Sequence, residues 1–377
     1  MKVKNEKNSK YKNLVFLCGA RDFHAMDWYR RALEELPNIN IYILTDLIKG
    51  ENFKKLITSK DIVFKLIIID NLLLRDQSSL GNYWRHFIKI IVFPLQVYLI
   101  RKFSKSFPDS IFYAHAMYYI WLAKFAGVEY VGRPQGNDIF TKPFKSRIFK
   151  FLSIKGINNA KAIIVDSFLM YESIQKFTQI NNVFVIPNGI DLGLIKKLKQ
   201  NSKEFKRKYI VSIRALYENY RIKDILISRS LSKESKSMPI QFIYPFYDKI
   251  YKNDLKNLFI KEDKDISRLD KSSLYSILYN TKLVISIPTK DSFPRSVFES
   301  IFCGCIVAIS YNSYYDHLPT SIKSRIILVN PNDENWFINA VNETETLLET
   351  PFKPCEKALK LFDQKNTFKE MAKIIFN

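Results

Sequence analysis

The chain has 377 residues, enough for two ordinary domains at roughly 100–200 residues each. Apolar residues make up 47% and charged residues 25%, a globular balance that excludes disorder and collagen-like repeats. Lys and Arg number 59 against 37 Asp and Glu, and the net charge of +22 points to an anionic partner: a phosphorylated ligand, a membrane surface or nucleic acid.

Met1–Lys12 is basic and polar with no apolar core after it, so no signal peptide is expected. The four cysteines, Cys18, Cys303, Cys305 and Cys355, lack zinc spacing, since Cys303-Gly304-Cys305 is C-x-C rather than C-x-x-C. Their sparseness suits a reducing compartment. The longest apolar run, Ile90–Ile100, holds Pro94 and Gln96 and falls short of the roughly 20 apolar residues of a bilayer span. A cytoplasmic protein is the expectation.

From the N-terminus, β-branched and aromatic runs alternate with helical patterns. Strands are predicted at Asn13–Cys18, Ile39–Leu44, Phe64–Asp70, Ser110–His115, Glu129–Gly132, Lys161–Asp166 and Val183–Pro187. Helices are predicted between them at Ala25–Leu36, Tyr83–Phe103, Tyr118–Phe125 and Phe144–Asn158. Continuously apolar strands fit a parallel sheet covered on both faces. Asn201–Lys208 is charged and reads as a linker, after which the pattern restarts with Tyr209–Ile213, Ile240–Tyr244, Leu283–Ile287, Ile306–Ser310 and Ile326–Val329. The expected fold is therefore α/β, with two Rossmann-like doubly wound domains facing a central cleft. Residues 1–195 would form the first and 196–354 the second, with a closing helix over 355–377 packing back on the first.

Ser286–Ser310 carries the most chemistry. A buried strand ends at Pro288, a polar turn follows, and Pro294 stands where a helix start tolerates proline. That helix runs to Cys303, with Gly304 at the C-cap position. Its free N–H groups and dipole suit a phosphate. Asp291 lies in the turn and Glu299 over a turn inside the helix, so both can reach one ligand, and a carboxylate there can accept hydrogen bonds from a diol.

This stretch resembles the signature of family 4 glycosyltransferases, which have the GT-B fold. Asp291, Ser292-Phe293-Pro294, Glu299 and Cys303-Gly304-Cys305-Ile306-Val307 stand where that family has two glutamates eight apart, a Gly-Phe-Pro and a small-Gly-x-Pro-Val strand. The resemblance implies that Asp291 holds the donor sugar and Glu299 the nucleotide ribose, with Ser292, Phe293, Pro294 and Arg295 at the diphosphate. The Glu-to-Asp change shortens the first arm. Ile186-Pro187-Asn188-Gly189-Ile190-Asp191 is similar to the family's hinge, where Asp191 can cap the following helix. Tyr209–Ile227 is similar to the segment whose Arg and Lys hold the donor pyrophosphate. Arg214 falls on the Arg and Arg221 on the Lys, with Lys223 as the alternative; an Arg suits phosphate through its bidentate fork.

In the first domain the resemblance implies a turn near the donor phosphates at Gly19 and an acceptor-side histidine at His115. Gln135 stands where the family often has His, Gly136 is expected in a positive-φ turn, and Asp138 is expected to cap the next helix. His24 and Asp27 open the first helix within reach of an acceptor.

The implied activity is transfer of a sugar from a nucleotide-sugar donor, with retention and with neither metal nor bound cofactor. The acceptor would be a saccharide or lipid-linked intermediate of a lipopolysaccharide or capsule. Lys2, Lys4, Lys7, Lys10 and Lys12 form a basic arm, and Trp84–Lys105 combines aromatics, an apolar stretch and cations. Both suit peripheral contact with an anionic membrane, on the inner face of a plasma membrane. Core helices read the same way, and Pro94 sits badly in a long surface helix. No nucleic-acid-binding motif is present. A GT-B sugar-nucleotide epimerase and a non-catalytic relative binding a nucleotide sugar or a protein are the alternatives.

Overall fold

A computed structural model of the protein describes residues 10–73, 79–200 and 206–377. The chain forms two compact units. Unit 1 runs up to Pro187 and takes in Thr367–Asn377; unit 2 is Asn188–Asn366. The sequence had placed 188–195 and 355–366 with the first domain; their contacts place them with unit 2.

Unit 1 is built on seven parallel strands: β1 (Asn13–Leu17), β2 (Asn40–Thr45), β3 (Ile62–Lys65), β4 (Ser110–His115), β5 (Tyr130–Arg133), β6 (Ala162–Val165) and β7 (Val183–Val185). Their order is β3-β2-β1-β4-β5-β6-β7, so the winding reverses between β1 and β4. Successive residues of a strand face opposite sides. Leu14 and Phe16 therefore join Trp28 of helix Phe23–Glu35 and Phe368 of helix Gln364–Phe376. Val15 and Leu17 pack on the other side with Ile100 of helix Ser79–Ser106 and Ile120 of helix Met117–Ala126.

Unit 2 repeats the plan with six parallel strands: β8 (Tyr209–Ser212), β9 (Ile240–Ile243), β10 (Lys264–Ser267), β11 (Thr281–Ser286), β12 (Ile306–Ser310) and β13 (Ile326–Val329). The order β10-β9-β8-β11-β12-β13 reverses between β8 and β11. In doubly wound sheets such a reversal opens a crevice at the carboxyl ends of the strands.

Several expectations need correction. The third strand is Ile62–Lys65, not Phe64–Asp70. The more apolar residues continue past the strand, where Leu66 and Ile69 bury as a loop. β10 carried no sequence signal because it is a polar edge strand. Gly136 has no positive φ and opens the short helix Gly136–Phe140. The tail is two helices, Glu356–Phe362 and Gln364–Phe376, because Asp363 is extended. Helix Ser79–Ser106 runs through Pro94 for 28 residues. Proline removes the helix hydrogen bond that the Ile90 carbonyl would accept, but the inner face still buries Val97, Ile100 and Phe103. Tyr118 Oη donates to the neighbouring Lys89 carbonyl at 3.2 Å. Of the basic arm, Lys2, Lys4 and Lys7 lie outside the described residues, as do 201–205 of the linker. Lys10 pairs with Glu129 and Lys12 with Asp109. Asp191 does cap helix Leu192–Gln200, accepting the Leu194 N–H at 3.0 Å.

Gly304 has φ +88°, in the left-handed region, and a Cβ there would lie 2.5 Å from Arg207 Nη2. Arg207 donates to the carbonyls of Cys303 (2.6 Å), Thr281 (2.9 Å) and Leu278 (3.2 Å). It thereby ties the C-terminal end of helix Arg295–Phe302 to the neighbouring elements. Gly304→Ala should lower the stability of unit 2 by about 1–2 kcal/mol from backbone strain alone. Urea unfolding of the variant should show an earlier midpoint, and an unchanged midpoint would contradict the geometry.

Candidate functional site

The site in unit 2 starts from where β8 and β11 end. After β8 the chain passes Ile213 and reaches Arg214; after β11 it turns through Thr289–Phe293 into helix Arg295–Phe302. Parallel pairing sets Ser212 beside Ile285, so the two loops emerge side by side. Arg214 Nη2 forms an ion pair with Asp291 Oδ2. Arg214 Nη1 lies 3.4 Å from Ser296 Oγ, and the guanidinium stacks 4.6 Å from the centre of the Tyr220 ring. Asp291 is itself held: its N–H donates to Asn312 Oδ1 and its Oδ1 accepts the Ser292 N–H, both at 2.9 Å.

Arg214 Nε, Ser212 Oγ and Ser286 Oγ are buried without hydrogen-bond partners among the described residues; Arg214 follows β8, while Ser212 and Ser286 end β8 and β11 on opposite faces of the sheet. Buried polar groups are nearly always paired, and such exceptions call for an explanation. The first turn of helix Arg295–Phe302 adds N–H groups that have no acceptor within the helix. Arg214 reaches Ser296 in that first turn, so its guanidinium and the helix N–H groups present positive charge and donors side by side, which suits a phosphate or diphosphate.

Glu299 sits deeper. It is buried, and its Oε1 accepts from Tyr275 Oη at 2.8 Å and lies 3.2 Å from Arg295 Nε. Burial first, and the Glu299 charge second, hold the Tyr275 phenol far above its usual range. Phe293 turns its ring inward against Phe362, Phe298 and Tyr314. Its side chain fixes the turn, which leaves ligand contact to the backbone there. Pro294 is buried at the N-cap position.

Arg221 does not join Arg214 in any contact. Its Nε pairs with Asp224 Oδ2 at 2.6 Å, and its backbone is left-handed, with φ +54°. Lys223 is exposed. The sequence missed Tyr275, Tyr220, Ser296 and Asn312. Only Ser296 had a visible cue, its place in the first turn of the predicted helix.

In unit 1 the expected acceptor-side residues gather around one that was not anticipated, Asp22, the N-cap of helix Phe23–Glu35. Its Oδ2 accepts from Gln135 Nε2 at 2.6 Å and lies 3.9 Å from His115 Nε2. Its Oδ1 accepts the His24 N–H at 2.9 Å. Burial raises the Asp22 carboxyl, but His115, His24 and the two capped N–H groups outweigh it and leave the group below its ordinary value. Asp138 adjoins this group, its charge acting on His115. Its Oδ2 accepts the N–H of Met117 (2.9 Å) and of Gln135 (3.2 Å), so it caps the helix at Met117 as well as its own. Gly19 leaves room for Tyr119 Oη, which would stand 2.9 Å from a Cβ.

No protein-family model matches the chain, and no curated protein matches it. Solved structures do. The chain is similar to Anabaena Alr3699/HepE in complex with UDP and glucose, at 14% identity and a TM-score of 0.67, over 96% of this chain and 98% of that one. It is similar to the lipopolysaccharide outer core galactosyltransferase WaaB in its apo form, at 11% identity and a TM-score of 0.63, over 97% and 99%. It is also similar to a putative UDP-N-acetylglucosamine 2-epimerase from Listeria monocytogenes, at 11% identity and a TM-score of 0.62, over 96% and 95%. Identities this low carry the fold alone, and the fold is GT-B, as the motifs implied.

Burial, above all, pushes the His115 imidazole below its ordinary value, with Asp22 opposing. The folded chain therefore resists a proton that the unfolded chain takes up below about pH 6.5. Stability should fall as pH drops from there, by at most about 1.4 kcal/mol per pH unit for this group. The contribution of Asp22 is lost only at lower pH, below about 4. His115→Gln should make the slope between about pH 6.5 and 5 shallower in urea unfolding; an equal slope would show that His115 is not the source.

Proposed function

We propose that the protein is a retaining glycosyltransferase. It moves a sugar from a nucleotide-sugar donor to a saccharide or lipid-linked acceptor in cell-surface polysaccharide synthesis. The observation that carries this reading is the convergence of Arg214, Asp291 and the start of helix Arg295–Phe302 where β8 and β11 part. The neighbour solved with UDP and glucose supports a nucleotide sugar as the ligand.

Arg214 holds the diphosphate, and the helix start shares its charge. Fixed donors of this kind stabilise a departing anion without reorganising at the moment of reaction. Arg214 and Asp291 are paired to each other in the structure, so binding divides them: the guanidinium goes to phosphate and the carboxylate to sugar hydroxyls. Glu299 holds the ribose through the oxygen that Tyr275 and Arg295 leave open. In the transfer, the bond from the anomeric carbon to the diphosphate oxygen breaks, and its electron pair stays with the diphosphate. The acceptor oxygen bonds to the same face, and its proton passes to the leaving oxygen. His115, Gln135 and His24, around Asp22, serve the acceptor. Arg221 is a second cation for the diphosphate once it leaves Asp224.

Incubation with a panel of nucleotide sugars should release nucleotide slowly by transfer or hydrolysis. Arg214→Ala should slow this by roughly a hundredfold or more, the scale for losing one transition-state donor. Glu299→Ala should abolish turnover through lost nucleotide binding. Full activity in both variants would remove the assignment. The fold shared with a putative epimerase gives a second reading, distinguished by sugar that changes configuration while still attached to its nucleotide. Nucleotide binding with neither outcome would mark a non-catalytic binder.

We also propose that unit 1 lies on an anionic membrane. Among the described residues no helix is long and apolar enough to cross one. Helix Ser79–Ser106 nonetheless exposes Phe87, Ile90, Ile91, Leu95 and Tyr98. Helix Arg147–Asn158 and the short helix Lys142–Lys145 before it add exposed Phe144, Ile148 and Phe151 among Lys145, Arg147 and Lys150. Exposed apolar area rimmed by cations is the pattern of an interfacial surface. The protein should float with anionic liposomes, and Ile90→Asp with Ile148→Asp should release it; equal flotation of the variant would count against this face.

A further inference from the structure

Helix Ser79–Ser106 brings Arg85 and Lys89, one turn apart, to the carboxyl-end side of the unit 1 sheet. There they meet residues that follow β1, β2 and β4. The Lys89 ammonium lies 3.9 Å from the centre of the Tyr118 ring and 5.2 Å from that of Tyr119. It has no hydrogen bond or ion pair among the described residues, and the buried Arg85 Nε has no hydrogen-bond partner among them. Asp46, the acid whose charge acts on Lys89, is already engaged: Tyr119 Oη donates to one oxygen and Gln96 Nε2 to the other at 3.1 Å.

More cations surround the pair. Arg21, just after β1, lies 3.7 Å from Asp70, and Lys142 pairs with Asp138 at 2.8 Å. Burial foremost lowers the Lys89 ammonium to about 8; Asp46 opposes, and Arg21, Arg85 and Lys142 add to the lowering. Burial likewise depresses His86, with Lys142, Lys89 and Arg85 contributing, and depresses Arg85, with Arg21 contributing. Several like charges are thus held within each other's field, and among the described residues neither Arg85 nor Lys89 has a carboxylate partner. Such a cluster is destabilising by itself and becomes favourable when an anion enters.

We propose that Arg85 and Lys89, flanked by Arg21 and Lys142, form a binding site for a phosphate or diphosphate group in unit 1. Arg85 supplies a planar donor fork and Lys89 a compact charge on an aromatic floor. The next outward residues of the same helix are the exposed Phe87, Ile90 and Ile91. A phosphate carried by an apolar chain would therefore find cations for its head and an apolar helix face for its tail. The chemistry of the group is common to a free diphosphate and a lipid-borne one. That this ligand is the sugar acceptor rests on the transferase reading; the site itself does not.

The test is calorimetric titration of the full chain, without any donor, using inorganic diphosphate and a prenyl diphosphate. Both should bind. Tighter binding of the prenyl form assigns the site to a lipid-borne group, and equal binding assigns it to a free one. Lys89→Met and, separately, Arg85→Gln should each weaken binding by roughly tenfold, about 1.4 kcal/mol, while leaving UDP binding to unit 2 unchanged. Removing an unpaired cation should also leave the melting temperature of Lys89→Met equal to or above that of the parent, which separates lost binding from lost fold. Diphosphate affinity unchanged in both variants, or no diphosphate binding at millimolar concentration, overturns the proposal. Because the readout needs no sugar donor, it stands or falls apart from the transferase assignment.

Discussion

Parallel pairing of β8 with β11 is the constraint on which the candidate site depends. The two strands are far apart in sequence, yet their register sets Ser212 beside Ile285. Arg214 and Asp291, carried on the loops that follow, are thereby delivered to one another. No local propensity could do this. The strands are buried almost throughout because helices cover both faces, and that burial fixes the register. A slip by one residue would turn every apolar side chain to the wrong face and carry Asp291 away from Arg214.

Much of this was legible in the chain, and the reasons are specific. The strand–turn–helix over Ser286–Ser310 could be read because each boundary has its own chemistry: an apolar run, a proline at the helix start and a glycine at its end. Gly304 proved to be needed twice, for a positive φ and for the approach of Arg207. Central strands were visible because both of their faces are buried. Of the four edge strands, β7 and β13 are apolar and were visible, but β10 is polar and β3 lies beside a more apolar loop. Pairings between distant residues were equally hidden. Tyr275 on Glu299, Asp22 on Gln135 and Tyr118 on the Lys89 carbonyl join segments that share no pattern in the sequence. The expected site residues also found local partners that a linear reading cannot supply. Arg221 is held by Asp224, and Phe293 packs into an aromatic cluster.

The excess of positive charge is not spread evenly in its consequences. Arg207 and Arg229 are spent inside unit 2 on carbonyls and on Asp263. Lys10 and Lys12 pair at the surface of unit 1. Arg85 and Lys89 are different: Lys89 lies over two aromatic rings, the Arg85 Nε is buried, and neither side chain pairs with a carboxylate among the described residues. Composition announces a basic protein, but only side-chain placement separates structural cations from those left for a ligand.

The left-handed backbone of Arg221 has an evolutionary consequence. A non-glycine residue in that conformation carries strain of about 1 kcal/mol or more, and glycine would relieve it. Laboratory selection for heat resistance alone would therefore be drawn to glycine at this position. Selection for turnover would hold the arginine only if its side chain acts on the substrate. The two pressures pull one codon in opposite directions, so the residue recovered from each regime would reveal which of them maintains it.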